Sequence, residues 1–384
     1  MDRRAIYTTA ENPHELIDAG KEWNFHDSDT GEHLHGLHPY PAKFIPQVAR
    51  KAIVEWSNPG ELVYDPFCGC GTTLLEASLI RRPSVGTDNN AVAIVISRAK
   101  TANYIDKDVL VAQRFLTRLP TLLANARPDR DLVPDNKNLA YWFSQPVMDR
   151  LSALKGIVVM QREPLRTLLT AVFSSIIVKV SYQDSDTRYA RIEKDVTPAH
   201  VDKAFATKLA DTVTRLSRVV SAERAQVQIY QADSRSVPFI GDDSVSLVVT
   251  SPPYLNAYDY HKYHRQRLHW IGGAVEFSRD LEIGKHDDFT RPGAKPDQYF
   301  ADMDTCFSEW SRVLRRRGKC IVIIGDAIVN KKPVHVADTF IDLMARRKLR
   351  LRRHWIRELK ATQRAFNVRN SRISQEHVLL FERG

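Results

Sequence analysis

Apolar and polar positions along the chain follow two periods. Short apolar runs bounded by Gly, Pro, Asn or Asp read as buried strands near residues 62, 85, 229, 247, 322, 354 and 379. Apolar positions at helical spacing predict helices over Pro46–Trp56, Leu74–Ile80, Ala91–Ala99, Met303–Leu314 and His335–Ala345. Strand and helix alternate through residues 61–100 and again from 226 to the end, the pattern of an open α/β sheet with buried strands. Leu349–Leu359 alternates apolar with basic residues and is expected at a sheet edge. Arg315-Arg316-Arg317-Gly318 is read as the end of a helix, with cations at its negative pole and glycine at the stop.

The alternation breaks between 101 and 224. Amphipathic stretches there, Val109–Leu123, Pro146–Met160, Arg166–Val180 and Val201–Val220, predict a mostly helical insertion. Gln183–Arg191 reads as one of its polar loops, and Arg188, Tyr189, Arg191 and Lys194 as a basic and aromatic group open to solvent or nucleic acid. Residues 1–30 are polar and are expected to form a surface arm or a partly ordered lead-in. Residues 271–298 read as a long loop. The predicted organisation is a catalytic unit of 1–100 and 225–384 interrupted by 101–224, a candidate target-recognition region.

Candidate chemistry gathers at strand ends. Val245-Ser246-Leu247-Val248-Val249 leads into Thr250-Ser251-Pro252-Pro253-Tyr254, where two prolines that cannot donate to a ladder stop the strand. A hydroxyl, two rigid residues and an aromatic are thus held at a carboxyl end, where open α/β sheets bind ligands. The strand at Glu61–Tyr64 feeds Asp65-Pro66-Phe67-Cys68-Gly69-Cys70-Gly71-Thr72, a glycine-rich turn opening a helix. Glycines let the backbone approach a ligand, and the helix amino end offers free N–H groups. This turn lacks the Gly-Lys-Ser/Thr of a P-loop and the spacing of the dinucleotide fingerprint. The next strand ends at Asp88-Asn89, and a carboxylate there is suited to a ribose diol. Asp233, after the strand at 227–230, is a candidate for an adenine amino edge, or equally a turn cap.

Composition narrows the partner. The net charge is +10, which favours a polyanion. After the tip, tyrosines interleave with cations: Tyr258, Tyr260, Lys262, Tyr263 and Arg265, stacking faces beside charges as a displaced base and its phosphates require. Arg364 and Arg369, in a basic stretch, extend the candidate nucleic-acid contacts. The histidines of His33–His38 are not grouped with carboxylate or cysteine, so no metal site is expected. Cys68, Cys70, Cys306 and Cys320 form no zinc-type pairs and are expected as buried residues of a reducing compartment. The first residues lack a secretory apolar core, and no apolar run is long enough to span a bilayer, so a cytoplasmic protein is expected.

The Asp65–Thr72 loop and the Ser251–Tyr254 tip together resemble the S-adenosylmethionine-dependent DNA amino-methyltransferases, specifically the N4-cytosine type. The family's loop reads D-P-F-x-G-x-G-T, and its tip reads Ser-Pro-Pro-Tyr in N4-cytosine enzymes and Asp/Asn-Pro-Pro-Tyr in N6-adenine enzymes. His38–Pro46 is similar to the segment ahead of the first strand, with Phe44 and Pro46 at matching positions. The resemblance covers 33–100 and 226–384. It implies a class I methyltransferase fold, a Rossmann-like seven-stranded sheet with the last strand antiparallel. It implies S-adenosyl-L-methionine as cofactor, held by Phe44, Pro46, Asp65, Pro66, Phe67, Gly69, Gly71, Thr72, Asp88, Asn89 and Asp233. Ser251, Pro252, Pro253 and Tyr254 would be catalytic. The implied partner is double-stranded DNA with one base flipped; a cognate restriction endonuclease is a candidate second partner. N6-adenine DNA or RNA amino-methylation, and nucleic-acid binding without catalysis, are the alternative readings. No Pro-Cys pair occurs, which argues against C5 methylation.

Overall fold

The computed structural model describes residues 17–18, 20–43, 45–220, 223–290, 293–359 and 374–384. The elements that frame the site are β1 (Ile17–Asp18), α1 (Pro46–Trp56), β2 (Val63–Asp65), α2 (Thr72–Leu79), β3 (Ser84–Asp88) and α3 (Ala91–Thr101). The region after α3 contributes α4 (Asp106–Asn125), α5 (Leu139–Trp142), α6 (Gln145–Val159), α7 (Leu165–Ile176), β4 (Gln183–Ser185), β5 (Arg188–Arg191) and α8 (Pro198–Val219). Then follow β6 (Val227–Gln231), β7 (Val245–Thr250), α9 (Tyr260–Tyr263), α10 (Arg265–Ile271), α11 (Val275–Leu281), α12 (Asp297–Val313) and β8 (Leu314–Ile324). A small hairpin of β9 (Ala327–Val329) and β10 (Lys332–Val334) precedes α13 (Val336–Arg346), β11 (Leu349–Glu358) and β12 (Gln375–Arg383).

The main sheet has the order β1-β11-β12-β8-β7-β2-β3-β6. All seven predicted strands are present. β6, β3, β2, β7 and β8 run parallel, and β12 is inserted antiparallel between β8 and β11. A seven-strand order with the last strand antiparallel is what the resemblance implies. The central strands are apolar because both faces are covered, and every residue of β7 is buried. Asn90 caps α3 by accepting from the Val92 amide at 2.9 Å.

Several expectations are corrected. The amino-terminal stretch is not merely a surface arm: Ile17–Asp18 pairs with His354–Trp355. Trp23 behind it is fully buried, 5.3 Å from the Trp355 ring. β11 therefore has a partner over part of its outer side. Gln183–Arg191 is a β-hairpin, not a loop. The segment 271–298 contains α11 and a 3-10 turn at His286–Phe289. Arg315–Gly318 does not end a helix. α12 stops at Val313, Leu314 turns to extended backbone, and the basic run falls within the strand assignment where pairing with β7 skips from Leu314 to Lys319. The register shifts there, with Arg315–Gly318 standing opposite Ser246 alone and Arg317 in left-handed backbone at φ 60°.

The insertion helices share one apolar core. Phe115, Leu151, Leu169, Phe205 and Leu216 pack in a cluster that also takes Leu75 of α2, Ala99 of α3 and Trp270 of α10. That continuity places the insertion directly against the elements that carry the glycine loop.

Candidate active site

A cleft of about 820 Å³, including its open mouth, lies at the carboxyl ends of β2, β3, β6 and β7. Its floor is the turn after β2. Gly69 and Gly71 adopt left-handed backbone with φ of 49° and 76°. A side chain on Gly71 would come within 2.9 Å of Ser97 Oγ, and one on Gly69 would face the Tyr40 ring at 3.4 Å. Both positions therefore need glycine for conformation, and Gly71 needs it for space as well. Ser97 Oγ donates to the Gly69 carbonyl at 2.7 Å, fixing the turn on α3.

Asp88 shapes the same turn. Its carboxylate accepts from the Gly69 amide at 2.9 Å and the Asn90 amide at 2.8 Å, and it lines the cleft. Burial pushes its pKa up to about 6, against the pull of those two amides. Asp65 is 1% exposed beneath the loop and accepts from the Phe67 amide at 3.2 Å. Burial raises its pKa to about 6, against the pull of the Phe67 amide. Asp65 thus supports the loop from below. Pro66 is buried too, its carbonyl accepting from Thr87 Oγ1 at 2.9 Å. Phe67, Gly69, Thr72, Asp88, Asn89 and Asp233 line the cleft. Asp233 is held by Arg235, which reaches on to Asp302 at 2.8 Å. Pro46 is buried as the first residue of α1. Phe44 lies outside the described residues.

The strand tip closes one side. Ser251 and Pro253 line the cleft. The Pro253 carbonyl accepts from Tyr299 Oη at 3.0 Å. The Pro252 carbonyl takes no donor among the described residues. Tyr254 is half-buried beside them, and its hydroxyl donates to Glu376 at 2.7 Å.

Residues that motif reading missed complete the cleft. Tyr40 is stacked on His264 at 4.8 Å and faces Tyr260 at 6.3 Å, and both tyrosines line the cavity. Lys43, Ser234 and Glu282 also line it. Glu282 accepts from the Tyr260 and His261 amides at 2.6 and 3.1 Å, which pins α9 against α11. Tyr40 lies inside His38–Pro46, the segment similar to that ahead of the family's first strand, and that was its sequence signal. The histidines nearby serve packing. His35 meets buried Glu76 at 2.8 Å while burial holds its pKa near about 4, and His38 bonds Ser174 at 3.1 Å.

The expected nucleic-acid residues divide. Tyr260 sits in the cleft, not on an outer face. Tyr258 and Tyr263 flank it, with Tyr258 at 5.5 Å from Tyr260 and 6.3 Å from Tyr263. Lys262 is paired with Asp259 and Asp287. Arg265 lies over Tyr189 at 5.8 Å. In the hairpin, Arg188 pairs with Asp184 at 3.1 Å, and Arg191 lies over Tyr141 and Tyr182 at 5.1 and 4.7 Å. Arg364 and Arg369 lie outside the described residues.

The residues present fit an adenosyl sulfonium ligand. Asn90 Nδ2 is buried without a partner in the cleft wall, and the Gly69 turn leaves a cradle beside Tyr40. Asp88, Asp233 and Glu282 give the cleft acidic groups that suit a cation. Among the described residues, no group of His, Cys, Asp and Glu is arranged to hold a metal ion, and no helix is long and apolar enough to cross a membrane.

Comparison with known proteins points the same way. Residues 7–98 match the N6/N4 family described as DNA methylase. The type II methyltransferase M.MvaI of Kocuria varians is 24% identical over 278 residues, 67% of this chain and 61% of that protein. The type II methyltransferase M.MjaII of Methanocaldococcus jannaschii is 35% identical over 78 residues, 20% of this chain and 15% of its own. The orphan methyltransferase M.BamHII of Bacillus amyloliquefaciens is 37% identical over 82 residues, 21% of this chain and 30% of its own. The chain thus spans less than two thirds of the length of these curated relatives. Among solved structures, a SAM-dependent methyltransferase of Methanosarcina mazei aligns over 90% of this chain and 98% of its own, with 9% identity and a TM-score of 0.36.

Proposed function

From its similarity to DNA methyltransferases of the N4/N6 amino-methyltransferase family, we propose that this chain methylates the exocyclic N4 amine of cytosine in double-stranded DNA, with S-adenosyl-L-methionine as donor. The observation that carries the reading is that Asp88, the Gly69 turn and Ser251 line one cleft. Donor site and acceptor site are thereby adjacent. When bound, S-adenosylmethionine supplies a methyl group on a positively charged sulfur.

The chain's residues do the rest. An exocyclic amine is a poor nucleophile because its lone pair is delocalised into the ring. Ser251 Oγ and the Pro252 carbonyl accept hydrogen bonds from its two N–H groups and turn the lone pair out of conjugation; one of the two protons leaves to water once the new N–C bond has formed. The two prolines fix that carbonyl, so little reorganisation remains at the moment of transfer. Tyr254 provides a face for the base. Asp88 accepts the ribose hydroxyls, the Gly69 turn admits the ligand backbone, and Asn90 Nδ2 offers a donor within the wall. The target nitrogen is inaccessible in stacked duplex, so the base is flipped, at a cost of a few kcal/mol that stacking offsets. A hydroxyl at the tip's first position, where the adenine-type tip has Asp or Asn, supports cytosine.

Mass spectrometry of nucleosides from duplex DNA incubated with the protein and donor tests this. N4-methylcytosine is expected, and it should vanish in Ser251→Ala while the variant still binds donor. N6-methyladenine would overturn the base assignment, and absence of any methylated nucleoside would overturn the activity.

A further inference from the structure

Glu376 stands where the motif gives no reason to expect a functional residue. It is the second residue of β12, 122 positions from the tip. Because β12 runs antiparallel to β8, its first residues lie at the carboxyl ends of the neighbouring parallel strands, beside Ser251. Its side chain is 12% exposed, opposite Arg357 on β11. The Arg357 guanidinium, 2% exposed, lies 3.5 Å away and keeps a positive charge beside the carboxylate.

We propose that Glu376 is a positioning residue that sets the polarity of the catalytic hydroxyl. The proposal rests on the methyl-transfer reading above. A carboxylate only accepts hydrogen bonds, so Tyr254 Oη must donate its proton to Glu376, at 2.7 Å. The Tyr254 oxygen is then left as an acceptor. Ser251 Oγ lies 3.4 Å from it and donates to it. The Ser251 proton is thereby directed toward Tyr254, and the oxygen's lone pairs are left to the cleft. Those lone pairs are what an amine N–H requires. Without the carboxylate the order can reverse: Tyr254 donates to Ser251, and Ser251 directs its own proton at the amine, opposing it. The chain Ser251–Tyr254–Glu376 acts on orientation, not on substrate affinity.

The test is steady-state kinetics on duplex DNA with labelled donor, together with equilibrium binding of S-adenosylhomocysteine. Glu376→Gln introduces a donor facing Tyr254. It is expected to lower kcat about ten- to a hundredfold, the range of a hydrogen bond to a charged group. KM for DNA and affinity for S-adenosylhomocysteine should stay within about twofold. Glu376→Asp, which still only accepts, should keep more activity than the glutamine variant. In a Tyr254→Phe background the chain is already cut, so Glu376→Gln should add less than about twofold. An unchanged kcat in Glu376→Gln overturns the assignment. So does an equal loss in both backgrounds, or a matching loss of cofactor affinity. If Glu376→Gln does not fold, Glu376→Asp must retain more kcat than Tyr254→Phe, and the reverse order overturns the assignment. A wild-type chain that transfers no methyl group to DNA overturns the methyl-transfer reading and this assignment together. An active wild type with unaffected variants overturns this assignment alone.

Discussion

Replacing Asp88 with asparagine removes a carboxylate that touches both the glycine turn and the cleft. Asparagine keeps an acceptor for the Gly69 amide but turns half of the group into a donor, which repels a hydroxyl proton instead of accepting it. Loss of a charged hydrogen-bond partner costs about 1.5–3 kcal/mol, so cofactor affinity at neutral pH should fall roughly ten- to a hundredfold. The wild type should carry its own pH signature. Burial raises the Asp88 pKa to about 6. The ionised form binds, so affinity is present above that value and lost below it. A group with this pKa is about nine-tenths ionised at pH 7 and about one-tenth at pH 5, and the apparent Kd should therefore rise roughly tenfold between them. Calorimetry with S-adenosylhomocysteine at pH 5, 6 and 7 reads this directly. Asp65 titrates in the same range, so the variant separates the two. In Asp88→Asn the slope should flatten. A flat wild-type profile, or a slope that survives in the variant, refutes the assignment of Asp88 as the ribose acceptor.

Two further substitutions bear on the scaffold. Asp65→Asn should raise the melting temperature at pH 7 but not at pH 4. The wild-type carboxyl moves from 3.8 to about 6 on folding, so the folded state holds its proton more tightly, and stability falls by roughly 3 kcal/mol as pH rises through that window. A thermal melt series across pH checks the sign, and an asparagine variant less stable than wild type at pH 7 would contradict it. Trp23→Ala should cost about 3–5 kcal/mol in denaturant unfolding, because a fully buried indole packed on Trp355 is removed. A loss below about 1 kcal/mol would mean that the amino-terminal stretch is not part of the core.

The sheet was legible because its strands are buried on both faces and so are apolar without interruption, as β7 is at Val245–Val249. The two ends of the cleft were legible for a related reason. Glycine at Gly69 and Gly71 and the proline pair at Pro252–Pro253 are backbone statements, and backbone chemistry is local. The β4–β5 hairpin was not legible. Asp184, Asp186 and Ala190 are of types depleted in strands, and tertiary contacts stabilise it: Asp186 is paired with fully buried Arg267, and Arg191 lies across two tyrosines. For the same reason basic residues read as free for nucleic acid proved engaged. Lys262 and Arg188 each have a carboxylate partner that a charge count along the chain does not reveal.

The cleft walls show what a motif leaves out. Glu282 and Glu376 reach the site from positions that no local pattern distinguishes, Glu282 by accepting from the Tyr260 and His261 amides and Glu376 by accepting from Tyr254. Glu376 nonetheless had a signal of its own. The resemblance implies an antiparallel last strand, and β12 does run antiparallel between β8 and β11. A strand entering the sheet in that direction begins at the carboxyl ends of its neighbours, where the catalytic tip lies. Its first charged residue is then placed beside the tip by topology alone. Direction, not spacing, brings Glu376 to within 2.7 Å of Tyr254, and a reading of strand polarity finds such residues where a reading of motifs cannot.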